Sequence, residues 1–262
     1  MTQLVEPLAY ATARVPWGGL ARFWIRGLSA CVGFGLSLGY CVVLLLWRRD
    51  RLCISRDTAR LMSRFCCTPL GIRVMVHDAE RLQATAPCVI IANHQSFLDY
   101  PILGRVLPAN TKIVGKAEMR GIPIVGAMFK WAGHVFIDRR ASATLVETMA
   151  HIVRAIRHER ISVWMFPEGT RRRSSQVSLL PFRSGAFRIA ASAGVAIVPV
   201  VVDELKPDTD IAGRRFRRRT VNVRVLAPIF INLSNPDHVA IAMDQAQSQM
   251  RACLMTGRGE VT

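Results

Sequence analysis

The apolar residues of this chain fall into two regimes. Residues 27–47 form an uncharged, largely apolar run, whereas beyond residue 65 short apolar runs alternate with amphipathic stretches. At about 1.5 Å rise per residue, a helix over 27–47 matches a hydrocarbon core of about 30 Å. Trp24 and Trp47 stand near its ends, where amphipathic rings favour the membrane interface. The run is diluted by Gly33, Gly35, Gly39, Ser29 and Ser37. Three arrangements therefore stay open: foremost a helix that crosses the bilayer, then one that enters a single leaflet, and last a buried soluble helix. Arg22 and Arg26 lie before the run; Arg48, Arg49, Arg51, Arg56, Arg60 and Arg64 follow it. The heavier positive flank is C-terminal, which puts the remainder of the chain on the cytoplasmic side of the membrane. A cleaved signal peptide fits poorly, because the apolar run is long and arginines follow at once.

The second regime alternates strand and helix patterns. Residues 88–92 (CVIIA), 112–115 (KIVG), 134–138 (HVFID), 161–166 (ISVWMF), 195–202 and 221–226 read as strands. In 144–158, Leu145, Met149, Ile152, Val153 and Ile156 recur at helical spacing, and Thr144 with Glu147 can form a capping box. Residues 184–193 read as a second helix, stopped by Gly194. Pro199 predicts an edge position or a strand end for its segment. The C-terminal stretch reads as a frayed helix. This pattern predicts an α/β fold: a mostly parallel sheet flanked by helices, preceded by a helical membrane anchor. The anchor and its basic connector occupy 1–65, and the α/β domain 66–262.

Composition narrows the partners. The chain has 262 residues, is 51% hydrophobic, and carries 35 Lys and Arg against 18 Asp and Glu. Such an excess suits polyanions, either nucleic acid or an anionic membrane face. Aromatic-rich strands of the base-stacking type are missing and basic residues cluster beside the apolar run, which favours membrane lipids over nucleic acid. The Arg214–Arg219 region reads as a membrane-surface contact or a solvated loop. The seven cysteines include no C-x-x-C pair, and His77, His134, His151, His158 and His238 have no ligand spacing, so no metal is expected.

Ligands of parallel sheets bind beyond the carboxyl ends of the strands. Asn93 and His94 follow one predicted strand, Arg139 and Arg140 another, and Pro167 to Arg171 a third. These positions would gather an acid–base group beside an anion pocket. His94 and Asp99 lie about 140° apart on a continuous helix and so meet only if His94 sits in the turn before a helix and Asp99 in its first turn. Ser96 is the expected N-cap of that helix. From these residues alone, a catalytic dyad and a helix cap beside a turn histidine both stand.

Longer blocks carry a resemblance. NHQSFLD (93–99) resembles the H-x4-D motif of the glycerolipid acyltransferases, and ISVWMFPEGTR (161–171) resembles their second signature. GHVFIDR (133–139), LLPFRSGAF (179–187) and AIVPVVV (196–202) resemble three further blocks, in the same order, over roughly 85–205. Within the family, the blocks are most similar to those of bacterial members that acylate 1-acyl-glycerol-3-phosphate. The resemblance implies acyl transfer from acyl-CoA or acyl carrier protein to the sn-2 hydroxyl of that lysophospholipid, giving phosphatidic acid, with no cofactor. It implies His94 as general base and Asp99 as its partner. It assigns Glu168, Gly169, Thr170 and Arg171 to the acceptor site, with Arg139 on the acceptor phosphate, aided by Lys116. Arg183 stands where the family often has Lys. A lyso-ornithine lipid is an alternative acceptor, and an inactive membrane scaffold an alternative of another class. Direct transfer is expected, since no Ser or Cys occupies a nucleophile elbow and Cys88 is mid-strand. Backbone N–H groups near Ser96 or Gly169 are the candidate oxyanion donors. A hydrophobic tunnel is expected to measure the acyl chain.

Overall fold

A computed structural model of the protein describes residues 17–47, 50–123, 125–138, 142–171, 179–205, 209–210, 215–216 and 218–256. The chain opens with α1 (Trp17–Trp47) and α2 (Arg51–Met62), which runs through a π-helical turn (Ser63–Cys67) into α3 (Thr68–Leu70). Then follow β1 (Ile72–His77), α4 (Glu80–Ala84), β2 (Val89–Ala92), α5 (Asp99–Leu103) and β3 (Thr111–Lys116). After a 3-10 turn come α6 (Val125–Trp131), β4 (Val135–Ile137), α7 (Ser142–Glu159), β5 (Ser162–Met165) and α8 (Gly185–Ala193). The chain closes with β6 (Ile197–Val202), the short pair β7 (Thr209–Asp210) and β8 (Arg215–Phe216), β9 (Arg219–Val225) and α9 (His238–Thr256).

The main sheet has seven strands in the order β1-β9-β6-β2-β5-β3-β4. β6, β2, β5, β3 and β4 are mutually parallel, while β9 runs antiparallel to β6 and carries β1 parallel to itself. The sheet is therefore mixed, and β1 is a strand that the sequence pattern did not single out. Its burial alternates, so it lacks the continuous apolar run by which buried parallel strands are recognised. The predicted helix over 144–158 begins two residues earlier, at Ser142. The helix over 184–193 is present with Gly194 at φ 71°, the left-handed stop that glycine accepts at little cost.

Pro199 is a correction. β6 is an inner strand between β9 and β2, neither an edge nor ending at the proline. Ile197 pairs with Ile229 and Val200 with Val225, so the facing segment has one residue more than β6 over this interval. Pro199 thus sits opposite a bulge, where its missing N–H breaks no regular ladder. Its carbonyl still accepts from Leu226.

Side chains alternate across the sheet and feed two cores. Val89, Ile91, Val163, Ile197 and Val201 pack with α7, α8 and α9 through Ile152, Ile156, Phe187 and Met250. Ile90, Trp164, Val198, Val200 and Val223 pack on the other face with Leu82, Ile102 and Leu103. At about 1.5–3 kcal/mol for each fully buried aliphatic side chain, these layers hold the strand ends rigid.

The N-terminal helices form an antiparallel pair against this body. Cys41 lies with Ile54 and Met128, while Gly33 lies on Phe65. A Cβ at Gly33 would stand 2.4 Å from the Phe65 carbonyl oxygen, so the glycine permits the close approach. Trp24, Ile25, Leu28, Val32, Leu36, Val43, Leu46 and Trp47 remain exposed on α1. Residues 19–47 are long and apolar enough to cross a membrane, and little of that stretch is buried.

Candidate active site

Five parallel strands deliver their carboxyl ends to one edge of the sheet, and the turn after β2 is fixed there by hydrogen bonds to the end of β6. Asn93 is buried and clamps β6, donating to the Val202 carbonyl at 3.0 Å and accepting from the Val202 N–H at 2.8 Å. Gln95 donates to the Asp203 carbonyl at 2.8 Å and accepts from the Leu205 N–H at 3.1 Å. The two amides pin the backbone on either side of His94 and leave its imidazole facing outward.

Asp99 is the first residue of α5 and lies in the preceding turn's reach. Its Oδ2 accepts from His94 Nδ1 at 2.8 Å, Gln95 N–H at 2.6 Å and Ser96 N–H at 2.9 Å. The Asp99 side chain is fully buried, and that of His94 is 19% exposed. With Nδ1 directed to the carboxylate, Nε2 is the nitrogen left to accept a proton, and it has no partner among the described residues. Ser96 is not the N-cap. Leu98 holds that position, and Ser96 Oγ accepts from the Leu98 N–H at 3.2 Å. The capping box is half built: the acid reaches back to the Ser96 N–H, while the helix itself starts at Asp99.

The turn after β5 completes the constellation. Phe166 stacks on the His94 ring at 4.2 Å between centroids and fixes its plane. Glu168 is buried, and its Oε1 accepts from the His94 N–H at 2.7 Å while Oε2 accepts from the Leu180 N–H at 2.9 Å. Gly169 adopts φ 71° and donates to the Phe166 carbonyl at 3.1 Å. Thr170 is exposed, and the Arg171 guanidinium lies over the Phe97 ring, 3.6 Å from its centroid. Lys116 is exposed at the end of β3, in register with Ile137 at the end of β4. Since β3 is two strands from β2, Lys116 stands about 10 Å along the sheet edge from the His94 turn. Arg139 and Arg140 lie outside the described residues, as do Arg214 and Arg217.

The fold thus brings His94, Asp99, Glu168, Gly169, Thr170 and Arg171 together, with Lys116 farther along the same edge. It changes what two of them can do. Both Glu168 oxygens face backbone donors, so the carboxylate braces two loops. The Ser96 and Gly169 N–H groups are already engaged by Asp99 and Phe166, which removes them as ready oxyanion donors. Phe166 and Phe97 fall within the family-like blocks 161–171 and 93–99, but no spacing rule marks a ring that will stack. Cys88 is fully buried and its thiol is pushed up to about 11 by burial, an inert side chain.

Beside the dyad lies a small, open apolar pocket of about 40 Å³. It is lined by Phe166 and Trp164 from the β5 side, Tyr100, Leu103 and Leu107 from the α5 side, and Ala59 of α2. The ring that stacks on His94 therefore also walls an apolar cavity.

Comparison with known proteins gives this geometry a family. The acyltransferase family profile matches residues 73–203, half of the chain, and the protein belongs to that family. The chain is 34% identical to 1-acyl-sn-glycerol-3-phosphate acyltransferase alpha of Ovis aries, over 90% of this chain and 79% of that protein. It is 36% identical to the beta enzyme of Homo sapiens over 71% of this chain, and spans 66% of that protein's length. It is 34% identical to the 1-acyl-sn-glycerol-3-phosphate acyltransferase of Salmonella typhimurium over 64% of this chain and 67% of that protein. The fold is that of the crystal structure of the 1-acyl-sn-glycerophosphate acyltransferase PlsC from Thermotoga maritima. The two agree with TM-score 0.68 over 91% of this chain and 97% of the other, at 20% identity.

Proposed function

We propose that the protein transfers a fatty-acyl group from a thioester carrier, acyl-CoA or acyl carrier protein, to the sn-2 hydroxyl of 1-acyl-glycerol-3-phosphate, forming phosphatidic acid. The observation that carries the reading is the His94–Asp99 pair at 2.8 Å, presented at the sheet edge beside an apolar pocket. The names of the relatives supply the acceptor. In this reading His94 Nε2 takes the proton from the acceptor hydroxyl as its oxygen attacks the thioester carbonyl, and buried Asp99 stabilises the imidazolium. The tetrahedral intermediate then expels the carrier thiolate, which recovers the proton from His94. The acyl chain enters the pocket behind Phe166, and Arg171, with Lys116 and Arg139, receives the acceptor phosphate through charge-assisted hydrogen bonds.

The exposed apolar face of α1 supports membrane attachment, because a stripe of Trp, Leu and Val this long is costly in water. Arg51, Arg60 and Arg64 are exposed after it, which supports an inner-membrane anchor with the α/β domain on the cytoplasmic side.

The test is transfer of labelled oleoyl from its coenzyme A thioester, in membranes holding the protein or its His94→Ala variant, with lysophosphatidic acid and lyso-ornithine lipid offered in parallel. His94-dependent phosphatidic acid is the expected product. Transfer to the lyso-ornithine lipid alone overturns the acceptor and keeps the mechanism. Transfer to neither, from both coenzyme A and acyl-carrier-protein thioesters, overturns the reading.

A further inference from the structure

Phe97 is 77% exposed, although it belongs to a densely hydrogen-bonded turn. Its neighbours Gln95 and Ser96 give their N–H groups to Asp99, Leu98 gives its own to Ser96 Oγ, and the Phe97 carbonyl accepts from Tyr100 at 3.4 Å. A large apolar ring is thus held outward by a rigid backbone, and packing of the sheet cores does not require it there. What it contacts is the Arg171 guanidinium, 3.6 Å above its centroid. Arg171 follows the left-handed turn at Gly169, and the ring is its side-chain partner among the described residues.

We propose that Phe97 is a positioning residue for the acceptor phosphate: its ring holds the Arg171 guanidinium beside the His94 turn, setting the distance between the cation and the base. The proposal rests on the acceptor reading above. A carboxylate partner would also hold Arg171, but would consume its N–H donors and neutralise it. An aromatic face takes the flat side of a guanidinium and leaves the N–H edges free for bidentate bonds to phosphate oxygens. Phe97 and His94 sit on one turn, so the phosphate and hydroxyl of one small headgroup are presented to two groups whose separation is fixed.

The test compares lysophosphatidic acid with its phosphate-free counterpart, monoacylglycerol, for the wild type, Phe97→Leu, Phe97→Trp, Arg171→Ala and the double variant Phe97→Leu/Arg171→Ala. Phe97→Leu is expected to raise KM for lysophosphatidic acid about 2- to 30-fold, the range of a cation–π contact, with the larger part of the change in KM. Preference for the phosphate-bearing acceptor falls accordingly. Phe97→Trp restores it, and Phe97→Leu adds nothing once Arg171 is alanine. Additive losses in the double variant, or equal losses on both acceptors, overturn the proposal while leaving the acceptor reading intact. A wild type that does not acylate lysophosphatidic acid overturns both.

Discussion

The His94 backbone N–H donates to Glu168 Oε1 at 2.7 Å, so the residue proposed as base is held by the loop that follows a different strand. The other Glu168 oxygen takes the Leu180 N–H, and one buried carboxylate joins the turn after β2, the turn after β5 and the chain leading to α8.

Glu168→Gln is therefore expected to be nearly as harmful as Glu168→Ala. An amide keeps one acceptor but turns its NH2 toward a backbone donor, and an unsatisfied buried group costs about 1–3 kcal/mol. Thermal unfolding in detergent and transfer rate should both fall for each variant. A glutamine variant that keeps near wild-type stability and activity refutes the bracing role.

Asp99→Asn separates the charge of this residue from its geometry. The Gln95 and Ser96 N–H groups demand an acceptor at the Oδ2 position, so the asparagine oxygen occupies it and the turn is retained. The loss is the negative charge beside the imidazolium. Transfer should drop within the span of general-base catalysis, about 10²- to 10⁴-fold, with a melting temperature close to wild type. Collapse of the fold with no folded, inactive species would reduce Asp99 to a helix cap.

The pocket behind Phe166 should set acyl-chain length. Leu107 lines it, and Leu107→Trp obstructs it. Competition between lauroyl and oleoyl thioesters is expected to shift several-fold toward the shorter chain. An unchanged ratio means that the chain runs elsewhere.

His134 gives a pH dependence of stability. Its Nδ1 accepts from the Ile113 N–H at 3.2 Å, and its Nε2 faces Ser55 Oγ at 2.9 Å, which ties α2 to the strand edge. Burial, and secondarily the nearby Lys112 charge, push its pKa down from 6.5 to about 3. The neutral ring is favoured only in the folded state, so this contribution is complete above pH 6.5 and is lost as pH falls from 6.5 toward about 3. A shift of this size is worth a few kcal/mol. Unfolding in detergent should show a steeper loss between those limits for the wild type than for His134→Gln, and parallel curves would refute it.

Much of this was legible in the sequence because it is local. The apolar run of α1, the helical spacing in α7, the glycine ending α8 and the continuous apolar strands β2, β5 and β6 each follow from backbone periodicity. The spacing of His94 and Asp99 makes their approach possible across a turn and a first helical turn, and the bonds of Asn93, His94 and Gln95 to Val202, Glu168 and Asp203 hold that turn in place. What only the tertiary structure decided are relations between segments far apart in sequence. The sequence showed Pro199 in a strand, but a bulge contributed by the chain after β9 makes an inner position tolerable. It showed Glu168 beside a proposed acceptor site, but the N–H groups of His94 and Leu180 arrive from other strands and claim both oxygens. It showed Phe97 and Arg171 in separate blocks, and the parallel register of β2 and β5 sets one above the other. Periodicity records which way a side chain points; what it meets there depends on strand order, which many weak nonlocal contacts fix together.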